Sequence, residues 1–110
     1  MLSVLIYITA SGDEEAAVIA RTLVEERLCA CANVIGPVRS FYRWDGKVQD
    51  GREVVVMAKT GADRVAAVSE RVKALHSYDL PCVVALPIEG GNADFLDWVV
   101  KETRPGEGGV

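Results

Sequence analysis

Two cysteines at i and i+2 are the first residues whose type and spacing suggest chemistry. Cys29 and Cys31 lie where an amphipathic helical pattern gives way to β-prone sequence. Thiolates are soft ligands that suit Cu(I) or Zn, and residues two apart on a strand share a face. A structural zinc site needs four ligands, whereas this chain has no CxxC spacing and one histidine. Because free cysteine usually packs as a small hydrophobe, we favour packing for both, and also for Cys82.

The single histidine is the second candidate for chemistry. His76 directly follows a helical pattern. A cation at the end of a helix interacts favourably with the helix dipole, so His76 can have a purely structural role there. As an imidazole it could instead supply one metal ligand, with others from Asp79 or from a neighbouring subunit. His76 and Asp79 are therefore the candidate metal ligands. As a catalytic base, His76 would need a nucleophile within reach, and sequence alone cannot place one.

Aromatic and charged residues form a further candidate set. Tyr and Trp are enriched at interfaces because a rigid apolar body carries one polar group. Trp44 precedes a predicted turn, and we expect it to pack between subunits in preference to lining a ligand pocket. Glu53 and Lys59 lie on one predicted strand, where they either pair with a neighbouring subunit or line a cleft between subunits. The candidate intersubunit or cleft residues are Tyr42, Trp44, Glu53, Lys59, Tyr78 and Trp98.

Composition narrows the class of protein. The 110 residues suit one domain, and half are hydrophobic. The net charge of −4 argues against nucleic acid or an anionic membrane as a partner. Three cysteines, an odd count, argue against a disulfide framework. No apolar run reaches the roughly 18 residues of a membrane span, and the first residues do not resemble a signal peptide. We therefore expect a cytoplasmic protein.

Hydrophobic periodicity predicts the elements that position these residues. Ser11 and Glu14 have the spacing of a capping box between a first strand and a first helix. The second strand is interrupted at Gly36-Pro37 and ends before Asp45-Gly46, a strong hairpin signal, and Gly51 suggests a bulge in the third. The predicted elements are a strand over Ser3–Ala10, a helix ending near Leu28, a strand to Trp44, a strand over Lys47–Thr60, a helix from about Thr60 to Leu75, a strand over Cys82–Ile88, and a short helix over Ala93–Glu102 capped by Asn92.

The order of these elements predicts the fold. It is an α/β (α+β) ferredoxin-like β-α-β-β-α-β sandwich with a short C-terminal helix, over residues 1–103. Residues 104–110, rich in Gly with one Pro, are predicted to be a disordered tail. Both helices of this fold lie on one face of the sheet, yet the other face also carries apolar residues and two strands are long. Another copy of the chain is the simplest cover for that face.

Several ordered motifs closely resemble the CutA family of divalent-cation tolerance proteins. They run from Val4 to about Thr103 and comprise Ala30-Cys31-Ala32-Asn33, Ser40-Phe41-Tyr42-Arg43-Trp44-Asp45-Gly46, Glu53, Lys59-Thr60, His76-Ser77-Tyr78-Asp79-Leu80-Pro81 and Leu96-Asp97-Trp98. The resemblance implies a ferredoxin-like subunit in a tight homotrimer, similar in architecture to the PII signalling trimers. It implies copper or other divalent-cation binding and no enzymatic reaction.

The chain departs from the family pattern at the implied metal ligands. The family motif usually reads His-Pro-Tyr-Glu/Gln where this chain has His76-Ser77-Tyr78-Asp79. Some members have a cysteine near the end of the first strand and a His pair in the loop, where this chain has Thr9 and Leu75-His76. His76 is all that remains of that set. A divalent metal ion is the one cofactor suggested, and none is expected to be required for folding.

Three functions therefore stay open. The first is non-catalytic metal-ion tolerance by a homotrimer. The second is a PII-like regulatory module that binds a small ligand or a protein partner at clefts between subunits. The third, least favoured, is an enzyme that uses Cys31 or His76.

Overall fold

The structure, a computed structural model that describes residues 2–104, confirms the predicted order of elements. The bounds are β1 Ser3–Ala10, α1 Asp13–Glu25, β2 Cys31–Trp44, β3 Lys47–Gly61, a 3-10 turn over Ala62–Arg64, α2 Val65–Leu75, β4 Val83–Pro87 and α3 Ala93–Glu102. Arg104 lies just past α3, and the rest of the predicted tail falls outside the described residues. Within residues 2–104, no helix is both long and apolar enough to cross a membrane.

The four strands form one antiparallel sheet in the order β2-β3-β1-β4. This is the ferredoxin-like arrangement, with β1 and β3 in the centre as their apolar sequences predicted. Alternate residues of β1 and β3 face α1 and α2 and are buried. They are Val4, Ile6, Ile8 and Ala10 on β1, and Val54, Val56, Ala58 and Thr60 on β3. The helices contribute Ala16, Ile19, Ala20, Leu23, Val68 and Val72 to the same core. We call the opposite face of the sheet the open face.

The hairpin between β2 and β3 turns at Asp45-Gly46, as predicted. Both residues have positive φ, 53° and 72°, which matches the two-residue turns whose twist suits antiparallel strands. The bulge lies at Gly36-Pro37, where β2 passes from Ile35 to Val38 while β3 moves only from Val55 to Glu53. The predicted bulge at Gly51 is wrong, because Gly51 pairs with Ser40 in continuous register.

The helix ends show which capping predictions hold. Asn92 caps α3, and its side-chain oxygen accepts hydrogen bonds from the N–H groups of Asp94 and Phe95 at 3.0 and 3.3 Å. The Ser11 capping box does not form. The residue before α1 is Gly12, which has no side chain to form a cap, and the Ser11 backbone N–H donates to Glu15 Oε1 at 2.9 Å. Glu15 therefore takes the acceptor role that the capping box predicted for Glu14.

A buried hydroxyl ties the end of β3 to the end of the first helical segment. Thr60 is fully buried, and its Oγ1 donates to the Leu28 carbonyl at 2.7 Å. This bond satisfies a carbonyl in the turn between α1 and β2, where helical hydrogen bonding has stopped. Thr60 thus fixes the point from which the long β2 strand starts.

Thr60→Val should lower the free energy of unfolding by about 1–3 kcal/mol, because the variant keeps the volume but leaves the buried Leu28 carbonyl unsatisfied. Urea denaturation at pH 7 measures the change. Thr60→Ser is the matched control, since it keeps the hydroxyl and loses only a methyl group. Equal stability of Thr60→Val and the parent would show that this hydrogen bond is not needed.

Candidate functional site

A cleft of about 620 Å³ opens where the hairpin leaves the body of the subunit. Three segments form it: the end of β1, the outer part of the β2–β3 hairpin, and the loop between α2 and β4. The lining residues are Thr9, Ser40, Phe41, Tyr42, Arg43, Trp44, Glu53, Tyr78, Asp79, Leu80 and Cys82. The volume lies within the range of small-ligand sites.

The bulge in β2 decides which side chains of the hairpin share the open face with Glu53. Before it, even-numbered residues of β2 pair with even-numbered residues of β3, as in Val34 with Val56. After it, Tyr42 pairs with Gln49 and Trp44 with Lys47. Paired residues share a face, and one extra residue reverses the alternation. Tyr42 and Trp44 therefore share the open face with Glu53, where an unbroken strand would have placed Phe41 and Arg43.

We call the loop between α2 and β4 the loop wall of the cleft, and the outer part of the β2–β3 hairpin the hairpin wall. Tyr78 joins the loop wall to the hairpin wall. Its hydroxyl donates to Glu53 Oε2 at 3.0 Å. Desolvation is the largest effect that raises the pKa of Tyr78 to about 12, followed by the hydrogen bond to Glu53. The negative charges of Glu53 and Glu15 act in the same direction. The hydroxyl therefore stays protonated and Glu53 serves as its acceptor.

His76 holds the loop wall against the end of β1. Its side chain is fully buried, and Nε2 lies 2.7 Å from the Thr9 carbonyl oxygen, so Nε2 carries the proton. Nδ1 accepts the Tyr78 N–H at 3.1 Å, and the His76 and Tyr78 ring centroids are 4.5 Å apart. Both ring nitrogens are thus used by the protein itself. His76 acts as a clamp that positions Thr9 and Tyr78, two cleft residues.

Glu15 fastens the same loop to α1. Its Oε1 accepts the Ser11 N–H at 2.9 Å and its Oε2 accepts the Ser77 N–H at 2.8 Å. Desolvation, the largest single effect, acts to raise the pKa of Glu15, but the hydrogen bonds from Ser11 and Ser77 together outweigh it and lower the pKa to about 2. Glu15 Oε1 also lies 3.7 Å from His76 Nδ1. The Glu15 carboxylate therefore helps to hold the loop that carries His76.

The predicted metal ligands are separated by this arrangement. Asp79 lines the cleft, whereas the His76 ring is buried with both nitrogens hydrogen-bonded. A metal ion at His76 would have to displace the Tyr78 N–H or the Thr9 carbonyl. In the described part of the chain, no three His, Cys, Asp or Glu side chains lie close enough together to hold a metal ion. Metal binding by His76 and Asp79 stays a prediction, and a single subunit offers no complete ligand set among residues 2–104.

The other predicted site residues divide into two groups. Tyr42, Trp44, Glu53 and Tyr78 meet in the cleft. Lys59 lies toward the other end of β3, where its Nζ donates to Asn33 Oδ1 at 3.3 Å. Trp98 lies on α3 beside Phe95, with ring centroids 5.6 Å apart. The structure therefore keeps Lys59 and Trp98 out of this cleft.

Sequence reasoning did not select six of the lining residues: Thr9, Ser40, Phe41, Arg43, Leu80 and Cys82. Phe41, Arg43 and Ser40 lie in the same motif as Tyr42 and Trp44, so their position was a usable signal. Cys82 was assigned to packing within β4, but it lies just before that strand and is half-buried at the cleft. Cys29 fits its packing assignment. Burial, the largest effect, and the nearby Cys31 raise the pKa of the Cys29 thiol to about 12, which suppresses the reactive thiolate.

The fold and the cleft define a class: ferredoxin-like α+β proteins whose long central hairpin projects beyond the body. A sequence model of the CutA1 divalent ion tolerance protein family matches residues 4–102. The chain belongs to the CutA1 divalent ion tolerance protein family. This confirms the resemblance found in the sequence motifs.

Individual relatives agree with this assignment. The Archaeoglobus fulgidus protein named divalent-cation tolerance protein CutA is 47% identical over 94 residues, which cover 86% of this chain and 91% of that protein. The solved divalent cation tolerance protein of Thermus thermophilus is 43% identical, with a TM-score of 0.90 over 93% of this chain and 99% of that one. The crystal structure of CutA1 from Oryza sativa gives 39% identity and a TM-score of 0.92, with 96% of each chain covered.

Glu15→Gln should lower the free energy of unfolding at pH 7 by about 1.5–3 kcal/mol, the range for hydrogen bonds to charged groups. A lowered folded-state pKa stabilises the protein above the unfolded value of 4.5. The parent should therefore have the higher free energy of unfolding above pH 4.5, and its difference from Glu15→Gln should disappear as the pH falls toward about 2. Urea denaturation across this pH range tests it.

Glu14→Gln is the matched control, because Glu14 is exposed in the same first turn of α1. It should change the free energy of unfolding far less than Glu15→Gln does. If the two variants behaved alike at every pH, the Ser11 and Ser77 contacts would not be stabilising.

Proposed function

We propose that the chain acts in divalent-cation tolerance as a non-catalytic homotrimer that binds copper or another divalent ion with ligands from more than one subunit. The observation that carries the proposal is the large apolar surface that one subunit leaves uncovered. Exposed large apolar side chains lie on β2, β3, β4 and α3. Those on the open face are Ile35, Tyr42, Trp44, Val84 and Leu86, while Val34, Phe41 and Val48 lie on the other face of the hairpin, and Phe95 and Trp98 lie on α3.

The distribution of these side chains favours a second copy of the chain as their cover. Val84 and Leu86 lie two residues apart on β4, so they share one face of the sheet. Their register partners Tyr7 and Leu5 are also only half-buried. Monomeric proteins rarely expose large contiguous apolar surfaces. The hairpin also projects, giving the subunit extents of 45 × 29 × 21 Å.

The cleft supports cation binding completed by another subunit. Its lining includes two carboxylates and one thiol, from Glu53, Asp79 and Cys82. Carboxylates suit hard divalent ions and a thiol suits copper or zinc. These three groups are not close enough to form a site within one chain. A neighbouring subunit packed against the hairpin would supply the missing ligands.

Trp44→Ala should shift the trimer toward dissociation, because Trp44 is 48% exposed at the end of the hairpin. Burying an indole stabilises by roughly 2–3 kcal/mol, and a trimer repeats the contact at each interface. Sedimentation velocity across a dilution series is the measurement, with three times 11.8 kDa expected for the parent. Val18→Ala, at an exposed apolar position on α1, is the control. A monomeric parent, or a variant as resistant to dilution as the parent, would contradict the assignment.

Cu(II) titration of the parent, Asp79→Asn, Glu53→Gln and His76→Gln tests the metal ligands. Asp79→Asn and Glu53→Gln should each weaken Cu(II) binding several-fold, because each removes an anionic oxygen ligand. His76→Gln should weaken Cu(II) binding less than either carboxylate variant, since both ring nitrogens already have protein partners and His76 acts only by positioning the loop. A large loss of affinity in His76→Gln, with the fold intact by circular dichroism, would return His76 to the site. Unchanged affinity in all three variants would remove the cleft from cation binding.

The cleft favours a second candidate function, a PII-like regulatory module that binds a small ligand. Its volume of about 620 Å³ and its mixture of aromatic and polar side chains are typical of small-ligand sites. The loop wall is held because its Ser77 and Tyr78 N–H groups donate to Glu15 and to His76 Nδ1, and His76 Nε2 donates to the Thr9 carbonyl, so the site is largely formed before a ligand arrives. Binding to a rigid site loses less entropy to ordering.

A further inference from the structure

The cleft contains two carboxylates, Glu53 and Asp79, with oxygen atoms that receive no hydrogen bond from the described chain. Glu53 accepts the Tyr78 hydroxyl with Oε2 alone. Across residues 2–104, Glu53 Oε1 and the Asp79 carboxylate accept no hydrogen bond. Arg43 is the one cationic side chain in the lining, against two carboxylates. A ligand that pairs with these two carboxylates must therefore bring hydrogen-bond donors or positive charge.

The electrostatic environment at the centre of the cleft is negative. Tyr78 sits between the two walls, and the carboxylates of Glu53 and Glu15 both act to raise the pKa of its hydroxyl. These groups come from the hairpin and from α1, so the negative field converges from two sides. A partly desolvated site of one sign concentrates ligands of the opposite sign.

Aromatic rings supply the remaining walls. Phe41, Tyr42, Trp44 and Tyr78 all line the cleft. The faces of aromatic rings attract cations, most strongly where water is excluded. The chain itself uses one of these rings in this way, since the Arg39 guanidinium carbon lies 5.0 Å from the centre of the Phe41 ring. Rings beside free carboxylates are the combination that recognises an organic ammonium ion.

We infer that the cleft binds an organic ammonium ion, held by the carboxylates of Glu53 and Asp79 and by the rings of Tyr42 and Tyr78. A bare metal ion needs several ligand atoms at close range, and residues 2–104 of one subunit do not group them. An organic cation spreads its contacts over several ångströms and fills the apolar volume as well. This inference rests on the second candidate function, a small-ligand module, and names the class of its ligand.

Isothermal titration of the full chain with four small probes tests the ligand class. The probes are n-butylammonium, tetramethylammonium, 1-butanol and butyrate, which separate charge and N–H donation from apolar bulk. We expect both ammonium ions to bind, butylammonium more tightly because it can donate to Glu53 and Asp79. Butanol and butyrate should bind at least tenfold more weakly.

Variants locate the binding. Glu53→Gln and Asp79→Asn should each weaken butylammonium binding about tenfold. Glu89→Gln removes the same charge just beyond β4, at the opposite end of the sheet from Thr9, and should leave the affinity unchanged. Asp79 lies in an exposed loop, so Asp79→Asn keeps the test valid if Glu53→Gln fails to fold.

The outcomes separate this inference from the functions it builds on. Stronger binding of butyrate or butanol than of butylammonium would overturn the ligand class and keep the cleft as a ligand site. Failure of all four probes would overturn both the inference and the small-ligand function. Equal loss of butylammonium binding in Glu89→Gln and Asp79→Asn would show that only net charge matters, and would overturn the site. Cu(II) binding, measured separately, decides the cation-tolerance proposal independently.

Discussion

Antiparallel pairing along the full length of β3 is the interaction on which the rest of the structure depends. From Val54 to Gly61 this strand has β1 on one side, and its side chains facing α1 and α2 form the core. From Lys47 to Glu53 it has only β2 as a partner. The same strand is therefore a core element at one end and the support of a projecting hairpin at the other. The cleft forms at the transition, where Glu53 is the first residue beyond the region paired with β1.

Much of the fold could be predicted because its determinants are local. Alternation in β1, the Asp45-Gly46 turn and the Asn92 cap each depend on neighbours within a few residues, and each is present as predicted. The position of the bulge was less predictable, because the sequence pattern alone does not distinguish Gly36 from Gly51. Gly36 fits because an added Cβ would meet the Val54 Cα at 3.2 Å, whereas one on Gly51 would meet nothing nearer than 3.9 Å. That difference depends on the partner strand, which the local sequence does not contain.

The candidate site was less predictable because its contacts join distant segments. Residue type identified Tyr42, Trp44, Glu53 and Tyr78 as suited to a cleft, and the structure brings them together. The role of His76 could not be predicted from its type, since an imidazole serves equally as a ligand, a base or a hydrogen-bonded clamp. The Thr9 carbonyl and the Tyr78 N–H pair with the two ring nitrogens, and only the fold brings both groups to the ring. Glu15 was not selected from the sequence, because one of its two hydrogen-bond donors is Ser77, which lies far along the chain.

The two walls of the cleft differ in the sequence separation between the residues that they bring into contact. The hairpin wall joins Trp44 to Lys47 across a two-residue turn, so it closes a very short loop. The loop wall exists only once β1 has found β3 and β4, with Ser3 opposite Gly61 and Ile8 opposite Val83. Closing such long loops sacrifices more chain entropy before any contact is gained. A partly folded chain can therefore hold the hairpin without the cleft, and a complete cleft is a property of the finished fold alone.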